Sequence, residues 1–268
     1  MPAPAPDRTA LVTGASSGIG AELARQLATR GHGVTLVARR RPELEALAEE
    51  LRAVGVRAEV LATDLLDRDA RAALPEQVAD LGLDVDILVN NAGASTVGPV
   101  HRDDAEAELR IVELDVLAVV DLCSRMLPAM VRRGRGAVLN VASTAAFQPL
   151  PGQAAYGASK SFVLSYTRSL AGELRSTGVT ATALCPGPVH TGFGEAAGFA
   201  TADAEAALPA FMWRPADEVA RAGLDGIDRG DPVVIPGRAN WLAAGAAQLV
   251  PKRLLVPLLA SRHPGLRD

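Results

Sequence analysis

Short, unbroken apolar runs alternate along the chain with longer segments whose apolar residues recur every three to four positions. The runs at 9–13, 33–38, 57–62, 85–90, 136–142, 179–185 and 232–235 are rich in Val, Leu and Ile with little polar alternation. That pattern predicts strands buried on both faces. Helical segments lie between them. In "PELEALAEELRAV" (42–54), Leu44, Leu47 and Leu51 share one face and Pro42 suits the first helical turn. Alternating β and α units predict an α/β fold, a parallel sheet covered by helices on both sides.

No internal linker rich in Gly, Ser or Pro divides the chain, so residues 8–268 read as a single domain. The Pro/Ala-rich "MPAPAPDR" lacks the apolar core of a signal peptide, and residues 1–7 read as a disordered lead-in. The irregular stretch at 186–214 reads as a substrate lid, because long loops in compact domains are usually functional. Residues 238–268 form an apolar C-terminal segment. Its core, "WLAAGAAQLVPKRLLVPLLA", is interrupted by Pro251, Lys252, Arg253 and Pro257, short of the ~18 uncharged apolar residues of a membrane span.

Composition narrows the function classes. A formal net charge of -4 with 3% aromatic residues leaves no basic footprint or stacking platform for nucleic acid. Two cysteines, Cys123 and Cys185, make neither a disulfide framework nor a zinc site, and a reducing cytoplasm is the simplest compartment. Cys185 reads as a small buried apolar residue. His32, His101, His190 and His263 are scattered without ligand spacing, so no metal is expected. His190 reads as a loop-surface residue, with substrate contact as the alternative.

The first strand runs into "TGASSGIG", where Gly14, Gly18 and Gly20 precede the helical "IGAELARQLATRG". Strand, glycine turn and helix N-terminus together make an anion cradle: unpaired N–H groups carry partial positive charge, and glycine lets a pyrophosphate approach closely. A purely structural tight turn is the alternative. The second strand ends at Ala38-Arg39-Arg40, with no carboxylate for a ribose 2′-hydroxyl and two guanidiniums suited to a 2′-phosphate. NADP(H) is therefore favoured over NAD(H).

Tyr156 and Lys160 in "YGASK" are spaced i, i+4, one turn apart on a helix face. A nearby ammonium lowers a phenol's pKa and makes it usable as a general acid or base. Ser143 follows the run "GAVLNVA", at the strand end where open α/β sheets bind ligands, and its hydroxyl can donate to a substrate oxygen.

"TGASSGIG", Asp64-Leu65, "NNAG" (90–93), Ser143, "YGASK" and "PGPVHT" (186–191) occur together in one order and spacing. Over residues 8–236 the chain resembles the short-chain dehydrogenase/reductase family, in its compact, single-domain, NADP-preferring branch. The resemblance implies a Rossmann-type, doubly wound, mostly parallel seven-stranded sheet and hydride transfer at a carbonyl or alcohol. It implies that Ser143 polarises the substrate oxygen, Tyr156 exchanges its proton, and Lys160 supports Tyr156 and the nicotinamide ribose. With Gly14 and Gly20 shaping the loop, Ser16, Ser17, Gly18 and Ile19 line the phosphates and Arg39 meets the 2′-phosphate. Asp64 and Leu65 meet the adenine. Asn90, Asn91, Ala92 and Gly93 support the adenosine side, Asn90 also bracing the sheet. Pro186, Gly187, Val189 and Thr191 embrace the nicotinamide.

The chain departs from the family at Asp115, where a relay Asn is usual. A carboxylate there can hold a water but also stabilises the Lys160 ammonium, so both a retuned and a slowed enzyme are open. By resemblance, helices at 103–131 and 153–176 are the contact faces of a homodimer or homotetramer. Phe193, Phe199, Leu208, Phe211, Met212, Trp213 and Trp241 either line an apolar substrate pocket or close the core or an interface. The first reading expects a lipophilic ketone or secondary alcohol as substrate. Lys252, Arg253 and Arg262 also fit a weak membrane-surface contact. A catalytically impaired NADP(H)-binding sensor is the alternative function.

Overall fold

The computed structural model describes residues 1–198 and 208–266. Its strands are β1 (Arg8–Thr13), β2 (Gly33–Ala38), β3 (Ala58–Ala62), β4 (Asp84–Asn90), β5 (Gly136–Val141), β6 (Val179–Leu184) and β7 (Val233–Val234). They form one seven-stranded sheet in the order β3-β2-β1-β4-β5-β6-β7, with every pairing parallel. The strand order reverses between β1 and β4, and such a switch point opens a crevice beyond the strands' C-terminal ends.

The first helices are α1 (Gly18–Thr29), α2 (Arg41–Ala53), α3 (Arg68–Asp80), α4 (Ala105–Val112) and α5 (Ala118–Arg133). They are followed by α6 (Ala154–Glu173), the short α7 (Phe193–Ala196), α8 (Ala216–Arg229), α9 (Arg238–Leu249) and α10 (Lys252–Arg262). Leu23, Leu27, Leu44, Leu47, Leu51, Leu224 and Ile227 cover one sheet face from α1, α2 and α8. Leu74, Val78, Leu122, Met126, Val163 and Leu170 cover the other from α3, α5 and α6. Two covered faces explain why the strands carry continuous apolar runs.

Local chemistry sets several boundaries. Asp67 caps α3, its carboxylate accepting the Asp69 and Ala70 N–H groups at 3.0 Å each. The 232–235 run forms only the two-residue β7: Pro232 and Pro236 bracket it without an N–H to donate, although the Pro232 carbonyl still accepts the Ala183 N–H at 3.0 Å.

Within the 1–7 segment, expected as a disordered lead-in, Met1 is partly buried. Met1 lies against the α1/α8 side of the core, and its ammonium sits 3.4 Å from Asp228 Oδ1. An apolar side chain and a charge each find a partner there, which composition alone does not show. Part of the 186–214 stretch is also described. Val189 bridges Arg214, and the His190 ring stacks on Trp213 at 4.7 Å between centroids. Phe199 lies outside the described residues. Among those residues, no helix is long and apolar enough to cross a membrane.

Candidate active site

A cleft of about 950 Å³ opens beyond the C-terminal ends of the strands. The glycine loop forms one wall. The Thr13 hydroxyl donates to the Val89 carbonyl at 3.1 Å and accepts the N–H groups of Asn91 and Ala92 at 2.9 and 3.1 Å. The Asn91 amide donates to the Thr13 carbonyl at 2.9 Å. These bonds fix the loops after β1 and β4 against each other. Gly14 takes φ +66°, and a Cβ there would fall 2.8 Å from Asn91 Nδ2 and 2.9 Å from Ala92 Cα. A Cβ at Gly18 would fall 3.1 Å from Thr191 Cγ2. Side chains at these positions would fill the cradle, so the loop fits an extended phosphate-bearing ligand such as a dinucleotide.

At the end of β2, the Arg40 guanidinium donates to the Ser16 and Ser17 hydroxyls at 2.9 and 3.0 Å. Arg39 also lines the cleft and is exposed. The Asp64 carboxylate accepts the Leu66 N–H at 3.0 Å, closing a tight turn that presents Leu65 to the same wall.

The loop after β5 and the first turns of α6 bring Ser143, Tyr156 and Lys160 to the cleft floor. The Ser143 hydroxyl acts on the Tyr156 phenol and lowers its pKa, and Ser143 Oγ accepts the Ala145 N–H at 3.1 Å. Lys160 Nζ lies 5.5 Å from the Tyr156 ring centre and donates to the Val141 carbonyl at 3.2 Å. Behind it, Asp115 sits in a π-helical turn, Glu113–Leu117, between α4 and α5. Asp115 Oδ2 is 2.9 Å from Lys160 Nζ, and Oδ1 accepts the Ala94 N–H at 2.9 Å.

Burial pushes the Tyr156 phenol above its ordinary value; Lys160 and Ser143 pull it down without cancelling that rise, and Asp115 adds to it. Burial alone would lower Lys160, but the Asp115 carboxylate and Tyr156 outweigh it and hold Lys160 above its ordinary value. Burial raises Asp115, opposed by Lys160 and the Ala94 N–H. Such a pair titrates as a unit. Burial also pushes the Cys185 thiol up to about 12, so it stays protonated.

The C-terminal segment closes the far side of the cleft with Ala243, Ala244, Leu259 and His263. A directional chain of hydrogen bonds ties it down. The Gly265 N–H donates to His263 Nδ1 at 3.2 Å, which leaves the proton on Nε2, 3.3 Å from Gln153 Oε1. Gln153 Nε2 donates to Ser95 Oγ at 2.7 Å, and Ser95 Oγ donates to the Thr96 carbonyl at 3.0 Å. Gln153 occupies the N-cap position of α6 without a side-chain cap bond, three residues before Tyr156.

The cleft thus gathers Gly14, Ser16, Ser17, Gly18, Ile19, Arg39, Asp64, Leu65, Asn91, Ala92, Gly93, Pro186, Gly187, Val189 and Thr191 around Ser143, Tyr156 and Lys160. Other expected residues stand apart from it. Gly20 packs against Asn91 and the Gly14 carbonyl. Asp115 is fully buried behind Lys160. Asn90 points into the core, where its amide donates to Asn140 at 2.8 Å while Asn140 donates to Thr167 at 2.9 Å. Leu208, Met212, Trp213 and Phe193 line the cleft, whereas Phe211 and Trp241 do not. The sequence reading missed Gln153 and His263. Gln153 carried a weak signal, its place at a helix start just before Tyr156; His263 carried none.

The family model for short chain dehydrogenase matches residues 8–199. A short chain dehydrogenase of Pseudocercospora fijiensis is 41% identical over 204 residues, 72% of this chain and 66% of that protein. A short-chain dehydrogenase from Sphingobium yanoikuyae, solved in complex with NADPH, superposes with a TM-score of 0.79 at 36% identity, covering 93% of this chain and 95% of its own. The bulky-bulky ketone specific alcohol dehydrogenase from Comamonas testosteroni superposes at 0.75 with 30% identity, covering 92% and 93%. The sheet order, the glycine cradle and these matches agree: the chain belongs to the short-chain dehydrogenase family.

Proposed function

We propose that the protein is an NADP(H)-dependent oxidoreductase acting on a lipophilic ketone or secondary alcohol, with Tyr156 as its proton donor and acceptor. The observation that carries this reading is the convergence of Ser143, Tyr156 and Lys160 on one cleft with the glycine cradle. The nicotinamide cofactor supplies hydride transfer when bound. Gly14, Ser16, Ser17, Gly18 and Ile19 would hold its pyrophosphate, with the Arg39 and Arg40 guanidiniums at the 2′-phosphate. Asp64, Leu65, Asn91, Ala92 and Gly93 would take the adenosine. Pro186, Gly187, Val189 and Thr191 would enclose the nicotinamide.

Each catalytic side chain then has one task. The Ser143 hydroxyl donates to the substrate oxygen, where charge develops during reduction. Tyr156 delivers its phenolic proton to the same oxygen. Lys160 stabilises the phenolate left behind, and Asp115 holds Lys160 in place. A phenol raised above its ordinary value rests protonated at neutral pH, the form that reduction uses.

Leu114, Leu150, Phe193, Leu208, Met212 and Leu259 give the remaining cleft wall an apolar character, which supports a bulky, lipophilic substrate. Homo-oligomerisation finds support in apolar side chains exposed on α4, α5 and α6 and the π-turn, among them Leu109, Leu117, Val131 and Phe162. The direct Asp115–Lys160 pair also keeps a second reading in play, a protein that binds NADP(H) without turning it over. A screen following NADPH absorbance across ketones of graded size separates the two. Turnover of bulky apolar ketones is expected; tight NADPH binding with no turnover of any ketone would establish the second reading.

A further inference from the structure

The segment after the last strand differs in character from the rest of the chain. Between Asp231 and Asp268 there is no carboxylate, while Arg238, Lys252, Arg253, Arg262 and Arg267 all fall there, in a protein whose net charge is -4. The same segment is apolar on more than one face. Helix α10 contains the unbroken run "LLVPLLA" (254–260). Leu255 is buried and Leu259 lines the catalytic cleft. Leu254 and Leu258, one turn apart on another face, are exposed. A helix that is apolar all round ordinarily has all its faces covered.

Further exposed apolar side chains lie on α9 and the Phe211 turn. Phe211, Trp241, Leu242, Leu249, Leu254 and Leu258 are 48–86% exposed. Asn240 Nδ2 donates to the Met212 carbonyl at 3.0 Å, which fastens the Phe211 turn to α9. Arg238 shares a shallow hollow of about 310 Å³ with Trp241 and Leu242. Lys252 and Arg253 are exposed at the start of α10, the Lys252 ammonium donating to the Ala247 carbonyl at 2.7 Å.

We propose that α9 and α10 dock the protein onto an anionic lipid surface. Exposed Trp and Leu side chains beside cations, in a segment whose sequence holds no carboxylate from 232 to 267, match the composition of helices that lie in a membrane interface. Charge decides between the two available occupants. A second copy seated symmetrically on this face would bring its own cations against these, whereas anionic headgroups neutralise them. The exposed side chains lie on other faces of the helices that wall the cleft, so the test reads vesicle binding rather than turnover.

Flotation of the purified protein with lipid vesicles tests this. Vesicles of phosphatidylcholine mixed with phosphatidylglycerol should carry the protein, and phosphatidylcholine vesicles should carry much less. Added salt should release it. Lys252→Gln/Arg253→Gln should weaken binding roughly 10- to 30-fold, at about 1 kcal/mol per cation near an anionic surface. Leu254→Gln/Leu258→Gln should abolish binding while leaving the thermal unfolding midpoint near that of the wild type. No flotation, equal flotation on both vesicle types, or binding unchanged in either double variant would overturn the proposal. So would loss of oligomer mass in the leucine variant without vesicles, which would assign the face to a second copy.

Discussion

Lys160 Nζ lies 2.9 Å from Asp115 Oδ2, and both side chains are buried. The sequence reading gave the carboxylate two roles, holding a water and stabilising the Lys160 ammonium; the structure shows the second as a direct contact. Removing one partner strands a buried charge, which costs on the order of 3–5 kcal/mol. Asp115→Ala should therefore lower unfolding stability by about that much, measured by denaturant titration, and Asp115→Asn by less.

The same pair should set the pH profile. Reduction needs a protonated Tyr156, so its rate falls as pH rises through the phenol's pKa. Asp115 is one of the groups raising that pKa. In Asp115→Asn the fall should therefore begin at lower pH than in the wild type. Coincident profiles would remove Asp115 from any part in proton transfer.

Tyr156→Phe keeps the ring beside Phe193, 5.8 Å away between centroids, and removes only the exchangeable proton. Turnover should drop at least ~10²- to 10⁴-fold. NADPH binding, followed by fluorescence titration, should stay within a few fold of wild type. Retained turnover would refute the proton-transfer role.

Arg39 and Arg40 test the cofactor preference separately. Arg39→Asp should swing preference toward NADH. Arg40→Ala removes charge-assisted bonds to Ser16 and Ser17 and should weaken NADPH binding roughly 10- to 100-fold, with a smaller effect on NADH. Equal losses for both cofactors would place Arg40 in loop architecture rather than at the 2′-phosphate.

His263→Ala cuts the chain from Gly265 to Gln153 and frees the C-terminal wall of the cleft. KM for bulky ketones should rise about fivefold, the equivalent of one hydrogen bond of ~1 kcal/mol, while kcat changes little. A fall in kcat with KM unchanged would mean that Gln153 acts on Tyr156 instead.

Much of this was readable in the linear chain because it depends on short-range pattern. The apolar runs from 9–13 to 179–185 became strands within a residue or so at each end, since a strand buried on both faces must be apolar throughout. The glycine spacing and the i, i+4 pair Tyr156/Lys160 are local geometries, and the cleft gathers both. β7 shrank because flanking prolines cannot pair, a limit visible in sequence once its partner strand is known.

What the chain order could not reveal depended on meetings between distant residues. His263 meets Gln153 across 110 positions. Met1 meets Asp228 across most of the chain. Sequence placed both Arg39 and Arg40 at the end of β2, but only packing put the Arg40 guanidinium on Ser16 and Ser17. Sequence alone determined the layered α/β frame and the residue types at its switch point, because periodicity and glycine sterics act over a few residues. Tertiary structure alone decided that the Asp115–Lys160 contact is direct and fully buried and that the tail walls the cleft, because burial and close contact are settled only when remote segments share one dry space.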